Sequence, residues 1–487
     1  MKIKELIQKN NFELVSGTDT ADVNDIVIDS RVAKSGDMFV AIKGAYTDGH
    51  NYIEQVLERG VTVIAITNSN MKINAPGITI LLMKEGIDAI VKLADDFYGQ
   101  PNCKLVGVTG TNGKTTTSYI VRDMIEKNGI KAGLISTIAY EYEQRSIPAD
   151  RTTPDIFTLY SLLHKMDNCN VEVVVMEVSS HAICQKRIGN LKYDIAIFTN
   201  LTQDHLDYHQ NMEQYYEAKK KLFYTLKPDG LAIINIGSDY GKLLADELNG
   251  HCRLLTYGID TPAADYFCYE YCTDIHGSSF SVKMKNDINR SAKIPLLGKH
   301  NIENCMAGFI ACVQLNVTND SLVKNCGELK NVPGRLEFIK MENKPLIIID
   351  YAHTEDAIQN VLNCLRNISS GELWIVFGCG GDRDKGKRAK MGAVAEKLAD
   401  KVIITTDNPR TEIPNEIIKD ILTGMNKNNH LVIEDRKAAI KYACENADSK
   451  TVVLIAGKGH ELYQEINRII YEFNEREIVQ GFLSNIK

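Results

Sequence analysis

Apolar and polar positions along the chain fall into three successive blocks. In the first hundred residues four short apolar runs, DIVIDS, GDMFVAI, VTVIAIT and ITILLM, predict strands, with a helical stretch near residues 52–60 among them. The tail of this block, Gly86 to Tyr98, places Ile87, Ile90, Val91, Leu93 and Ala94 at the spacing of an amphipathic helix. GQPNCK then supplies the glycine and proline of a linker. The second block alternates strands with helical patterns: KLVGVTG, AGLIST, EVVVMEV, DIAIFTN, LAIIN and RLLTYG. Near-continuous β-branched runs of this kind predict strands buried on both faces of a parallel sheet. A further helix begins near Asn301, and NVPGRLE, with its Pro-Gly pair, marks a second boundary. Beyond it PLIIID, LWIVFG, KVIITT, LVIED and TVVLIAG predict another open parallel sheet. The expected fold is α/β in three domains, residues 1–100, 101–332 and 333–487, the last Rossmann-like.

Length agrees with that count, since 487 residues at roughly 150 per domain suggests about three. A net charge of −7 argues against a general nucleic-acid binder, which carries a basic excess. The 12 cysteines form no C-x-x-C pair, so reduced thiols are expected. MKIKELIQKNNFEL lacks the apolar core of a signal peptide, and no apolar run approaches the ~20 residues of a membrane span. A cytoplasmic protein without membrane insertion is the expectation.

The chemistry begins at GVTGTNGKTTTS, residues 107–118, between a predicted strand and a predicted helix. The common phosphate-loop pattern asks for glycine where this chain has Val108. Gly110 and Gly113 still allow the backbone to approach a ligand, and the loop amides and helix N-terminus offer donors to an anion. Lys114 is placed to bridge phosphates and Thr115 to ligate Mg²⁺. MEVSSH puts Glu177, and NLTQDHLDYH puts His205, at the C-terminal mouths of two strands, where open α/β sheets bind ligands. Carboxylate, imidazole and hydroxyl suit Mg²⁺ beside phosphates. Asp207 and His209 are expected to be structural or outer-shell. RTTPD, residues 151–155, and Arg187 could hold an anionic substrate, the guanidinium by two parallel hydrogen bonds. YEAKKKLF on its own reads as a solvated basic helix face. GCGGDRDKGKR lacks the G-x-G-x-x-G spacing of a dinucleotide site.

TGTNGKT together with these separated motifs resembles the Mur ligase family, over most of the chain. The resemblance implies three domains and ATP-dependent amide-bond formation in peptidoglycan synthesis. It implies ATP contacts at Gly110, Thr111, Asn112, Gly113, Lys114, Thr115, Thr116, Asn304 in HNIEN, Arg335 in GRLE and Asp350 in DYAHT, the last at the ribose. Lys114, Glu177, His205 and Lys219 would be the catalytic set. Two Mg²⁺ ions would be held by Thr115, Glu177, His205 and Lys219 as a CO₂-derived carbamate, although Lys220 and Lys221 sit beside it. A UDP-muramoyl dipeptide would meet Ser30 in DSR, with DGHNYI beside it, and Thr152, Thr153, Ser179, Gln185 and Arg187. An amino-acid pocket would use Arg383, Asp407, Asn408, Arg410, Gly457 and Glu461. In the family the string DNPR marks members that add meso-diaminopimelate, whose second carboxylate an arginine pairs bidentately. The chain departs from the family at Glu355, where proline is usual, and a local loop change is expected there. A monomer acting on small molecules is expected. Three alternatives stay open: an L-lysine-adding relative, a P-loop NTPase switch or motor, and a folylpolyglutamate-like ligase.

Overall fold

The run LWIVFG reads as uniformly apolar because both faces of its strand are covered. In the computed structural model, which describes residues 1–485 apart from 45–46, 72, 74–75, 85 and 285–288, the strand is Leu373–Phe377. Leu373, Ile375 and Phe377 pack into one core cluster, and Trp374 and Val376 into another. The neighbouring strand Leu346–Asp350 divides in the same way, Ile348 to the first cluster and Ile347 and Ile349 to the second. Side chains alternate along a strand, so a sheet with helices on both faces leaves no polar side to show in the sequence.

Packing divides the chain into two compact units, Met1–Val106 with Lys131–Asp194, and Gly107–Ile130 with Ile195 onward. The first unit holds a five-stranded sheet in the order Glu13–Ser16, Thr79–Leu82, Val63–Ile66, Asp37–Ala41, Asp25–Val27. All its pairs are parallel except the first. The four expected strands are present. Glu13–Ser16 was not legible, because all four of its residues are exposed and no alternation marks it. Helix Ile87–Tyr98 buries Ile90, Val91, Leu93 and Ala94, as its spacing predicts. Ile87 departs from the expectation: it is 40% exposed, on the first turn of the helix. Tyr98 at the end of this helix hydrogen-bonds Asp25, whose other oxygen accepts from Ser161 Oγ at 2.8 Å. The same unit carries Val173–Glu177 parallel to Ala132–Ile135, extended antiparallel by Ala139–Tyr142 and Arg145–Pro148.

In the second unit strands Asn289–Ile294, Gly277–Met284, Tyr266–Asp274, Arg253–Ile259 and Leu226–Asn235 follow in order, then Tyr193–Phe198 and Lys104–Thr109, whose C-terminal ends belong here. A six-stranded sheet also lies in this unit: Glu337–Ile339, Leu346–Asp350, Val452–Ala456, Leu373–Phe377, Lys401–Ile404, His430–Val432. It is parallel apart from its first pair. Helix Lys299–Gln314 packs closely on helix Lys114–Glu126, since a Cβ at Gly308 would meet Ile120 Cγ2 at 2.7 Å. All 12 cysteines are free thiols. No helix among the described residues is long and apolar enough to cross a membrane.

Glu303 on helix Lys299–Gln314 yields a stability test. Burial raises its carboxyl from 4.5 to about 7, against the pull of Lys299 and a hydrogen bond from Asn235. Between those values the folded state binds more protons than the unfolded chain, so stability contributed by the neutral acid is lost as pH rises through about 7. Glu303→Gln is expected to be more stable than the parent at pH 8 by up to about 3 kcal/mol, with the difference vanishing near pH 4.5. Urea unfolding at the two pH values checks this.

Candidate functional site

Val108, where the common phosphate-loop pattern asks for glycine, is a fully buried residue of strand Lys104–Thr109. The loop proper is Gly110–Gly113, and its glycines are obligatory for two reasons. Their φ angles are 150° and 84°, and added Cβ atoms would lie 1.9 Å from Thr199 Oγ1 and 2.4 Å from Asn304 Oδ1. The segment after strand Tyr193–Phe198 holds the loop in shape. Thr199 Oγ1 donates to the Asn112 carbonyl at 2.6 Å, Asn200 Oδ1 accepts from the Asn112 amide at 2.9 Å, and Thr111 Oγ1 donates to the Thr202 carbonyl at 3.1 Å. Helix Lys114–Glu126 begins immediately, so its first amides and positive dipole end face the loop.

Two ammonium groups converge on one carbonyl. Lys114 Nζ donates to the oxygens of Gly110 at 3.0 Å and Thr111 at 2.8 Å, and Lys219 Nζ donates to Gly110 O at 2.7 Å. Lys219 is buried, 1% exposed, with Nζ 4.4 Å from the centre of the Tyr215 ring. Burial first, and the Lys114 charge second, push its amine well below the ordinary lysine value, against the pull of Asp204. Its neighbours differ: Lys220 pairs with Glu217 at 2.5 Å and Glu247 at 3.2 Å, and Lys221 is exposed. Burial therefore separates the three lysines that the sequence leaves equivalent.

His205 has a left-handed backbone, φ 56°, and its ring stands edge-on to Tyr215 with centroids 6.0 Å apart. His209 is buried and packs on the same ring at 5.1 Å, the structural part expected of it. Beside His205 lies the buried carboxylate of Asp204, 3.5 Å from the ring nitrogens of His205 and His353 and 3.1 Å from Lys387 Nζ. Burial works against its ionisation, but the charges of His205, Lys387 and His353 hold it well below the ordinary carboxylate range.

A cleft of about 260 Å³ opens beside the loop, walled by Thr116, Leu296, Leu297, Val332, Phe338 and Asn301 among others. The wall mixes apolar side chains with the amides of Asn301 and Asn331 and the hydroxyl of Thr116. Arg335 lines it as well, donating to Thr115 Oγ1 at 3.2 Å and lying over Tyr351 at 4.4 Å. Asn304 is not on the wall. It accepts from Thr117 Oγ1 and donates to Asn301, both at 3.2 Å. Asp350 is buried, and its two oxygens accept from the amides of Leu336 and Ala352 at 2.7 Å each. Burial raises its carboxyl, with Arg335 opposing. Glu355, where a local loop change is expected, opens helix Glu355–Ile368, capped by Thr354 Oγ1. Proline and an acidic residue are both favoured in a first helical turn, one for its fixed φ and one for the dipole, so they exchange without rebuilding the backbone.

In the first unit, Glu177 is fully buried at the end of strand Val173–Glu177 and accepts from the Thr137 amide at 2.8 Å and the Thr137 hydroxyl at 3.0 Å. That hydroxyl reaches Thr152 Oγ1 at 3.1 Å, and Thr153 Oγ1 donates to the Glu177 carbonyl at 2.8 Å. Arg187 donates to the Thr153 carbonyl at 3.0 Å and to Gln185 Oε1 at 2.5 and 2.9 Å. Ser179 caps helix Ser180–Cys184. Five of the six residues expected to meet the substrate thus form one connected patch. The sixth, Ser30, donates to Gln55 Oε1 at 2.8 Å, and the neighbouring Asp29 and Arg31 feel the charges of Arg151 and Asp150.

The expected amino-acid residues also assemble. Asn408 donates to Glu461 at 2.8 Å and accepts from Lys458 at 2.9 Å. Burial works against ionisation of Asp407, but Lys458 and Arg436 keep its carboxyl low, whereas burial and Asp407 push Glu461 up. Gly457, φ 114°, has no room for a Cβ, which would stand 2.5 Å from Asp407 Oδ2. Arg410, φ 52°, donates through Nη1 to the Gly381 carbonyl at 2.7 Å. Gly380 brings Arg383 and Arg410 together, an added Cβ there lying 3.0 Å from Arg410 Nη1 and 3.8 Å from Arg383 Cγ. Sequence reading missed Thr137, Thr199, Asn200, Asp204, Lys387, Lys458 and Glu465. Several of these follow a strand or adjoin a chosen residue, a signal that was present. Glu465 carries no such mark.

The Mur ligase middle domain matches residues 108–312, the Mur ligase glutamate ligase domain residues 334–459, and the Mur ligase family catalytic domain residues 22–98. The chain is 38% identical over 491 residues to UDP-N-acetylmuramoyl-L-alanyl-D-glutamate–2,6-diaminopimelate ligase 1 of Clostridium acetobutylicum, with 100% of each covered. A solved structure of a UDP-N-acetylmuramoyl-L-alanyl-D-glutamate–2,6-diaminopimelate ligase is 30% identical, with a TM-score of 0.64 and 99% of both chains covered. The MurF ligase of Thermotoga maritima, solved with ADP, is similar in fold, at 20% identity, a TM-score of 0.69, and 95% of this chain and 97% of that one covered.

The loop geometry yields a direct test. Gly110→Ala is expected to destabilise the protein by about 1–3 kcal/mol through the clash with Thr199, and to weaken binding of ATP. Denaturant titration and binding calorimetry measure the two effects.

Proposed function

The chain belongs to the Mur ligase family, and from that premise we propose that it is an ATP-dependent ligase of peptidoglycan precursor synthesis. It joins meso-2,6-diaminopimelate to the D-glutamate γ-carboxylate of UDP-N-acetylmuramoyl-L-alanyl-D-glutamate. The observation that carries this reading is the full-length likeness to a ligase of that name, with Arg410 in the DNPR turn. Diaminopimelate differs from lysine by a second carboxylate, and a guanidinium is the group that matches it.

A carboxylate oxygen of the D-glutamate attacks the γ-phosphorus of ATP, and the bond to ADP breaks. The amine nitrogen then attacks the acyl carbon, phosphate leaves, and the nitrogen loses a proton. Lys114 and the loop amides stabilise the charge that moves between phosphate and carboxylate. The cleft beside the loop receives the base, with Arg335 and Asp350 toward the rest of the nucleotide. We assign residues 1–100 to the uridine end, 101–332 to ATP and 333–487 to the incoming amino acid. The Thr152, Thr153, Ser179, Gln185 and Arg187 patch, with Ser30, takes the UDP-linked dipeptide. Arg383, Asp407, Asn408, Arg410, Gly457 and Glu461 take diaminopimelate. The protein works as a cytoplasmic monomer.

Mg²⁺ ligation is assigned to Thr115, His205, Glu177 and Lys219 as its carbamate, and the ions would neutralise phosphate charge. Lys219 suits this part, since a buried amine held below the ordinary lysine value is the form that adds CO₂. The neutral amine nitrogen bonds to the CO₂ carbon, one N–H proton leaves, and the product is an anionic oxygen donor.

Two measurements test the reading. Phosphate release from ATP with the UDP-muramoyl dipeptide is expected with meso-diaminopimelate and, at equal concentration, at least about a hundredfold slower with L-lysine. Equal rates would overturn the specificity. Lys219→Ala is expected to lose about 10²–10³-fold in kcat, with partial recovery in bicarbonate. A ¹³CO₂-derived carbamate resonance should be present in the parent and absent in the variant. A fully active variant would overturn the carbamate.

A further inference from the structure

Arg410 reaches its ligand-facing position through a strand on which sequence reading set no functional residue. Its left-handed backbone is pinned on both sides: the Arg410 amide donates to the Glu465 carbonyl at 3.1 Å, and the Asn467 amide donates to the Arg410 carbonyl at 2.7 Å. The strand is Tyr463–Ile466, half of a hairpin with Ile469–Glu472. It holds the rest of the DNPR turn as well. Gln464 Nε2 donates to the Asp407 carbonyl at 2.7 Å, and the Glu465 amide donates to Asn408 Oδ1 at 3.0 Å.

Glu465 adds a side-chain contact. Its Oε2 stands 3.2 Å from Arg410 Nε, with the two side chains 27% and 17% exposed. On the other side Arg410 Nη1 donates to the Gly381 carbonyl. A guanidinium presents five N–H groups in a rigid plane. With Nε in an ion pair with Glu465 and Nη1 donating to the Gly381 carbonyl, the guanidinium is tethered at two of its three nitrogens. The nearby carboxylate also offsets the arginine charge. An incoming carboxylate is then selected by the geometry of the guanidinium more than by bare attraction.

We infer that Glu465 is a positioning residue for the incoming amino acid: it orients Arg410 so that the guanidinium meets a distal carboxylate, and so contributes to discrimination against amino acids that lack one. This rests on the reading of Arg410 as the carboxylate anchor.

Steady-state kinetics with meso-diaminopimelate and L-lysine on the full-length parent, Glu465→Gln, Glu465→Ala and Arg410→Ala test it. Glu465→Ala is expected to raise KM for diaminopimelate about tenfold, the scale of a hydrogen bond to a charged group, with kcat within about twofold. Glu465→Gln, which keeps an acceptor for Nε, should bring KM back to within about threefold of the parent. KM for lysine should move with neither variant. An unchanged or lowered KM for diaminopimelate in Glu465→Ala overturns the inference, as does a matching rise for lysine, which would mark a general structural part. If Arg410→Ala leaves KM for diaminopimelate unchanged, the anchor reading fails and the inference falls with it, separably from the Glu465 result. Urea midpoints within about 0.5 M of the parent show that the variants are folded.

Discussion

The carbonyl of Gly110 accepts from two lysines, and the nucleotide end of the protein is arranged around that convergence. One ammonium, Lys114, belongs to the helix that follows the loop, and the other, Lys219, comes from a helix about a hundred residues later in the chain. Two cations on one oxygen, one of them buried, repel each other across a medium that screens poorly. The arrangement resolves in two ways. An anion can sit over the loop, as phosphate does, or the buried amine can give up its proton. The carbonyl thus gathers both lysines at the loop, where one is held well below the ordinary lysine value. The strictness of the surrounding backbone follows, because the carbonyl points correctly only if Gly110 and Gly113 keep angles and clearances that no larger residue allows.

The far part of the second unit repeats the principle with opposite sign. Asp407 and Glu461 share a buried pocket with Lys458 between them, and their environments push the two carboxyls apart in acidity. One carboxyl is held low and the other raised, beside Arg410. Asp204 extends the charge pattern by gathering His205, His353 and Lys387, residues drawn from three separate motifs.

Much of this was legible because the signals were local. A strand buried on both faces writes an unbroken apolar run, and all the parallel strands expected from such runs are present. The loop and Glu177 were legible because each stands at the end of such a strand; His205 lies in the segment that follows strand Tyr193–Phe198. Edge elements were not: Glu13–Ser16 exposes every residue and has no pattern to read. Ile87 fitted a helical stripe but is the first residue of its helix and 40% exposed. Glu355 read as a disturbance only because its place in the first helical turn was unknown.

By itself the sequence determined which chemistry was available: a phosphate loop, strand-end ligands and a DNPR turn, each encoded within a few neighbouring residues. Tertiary structure decided how the members of each group differ. Lys219 is set apart from Lys220 and Lys221 by burial against Gly110, and Arg410 is aimed by Glu465, 55 residues later in the chain. Burial and aim depend on contacts between distant segments, and the strength of a charge depends on what surrounds it. Neither is written in the order of neighbouring residues.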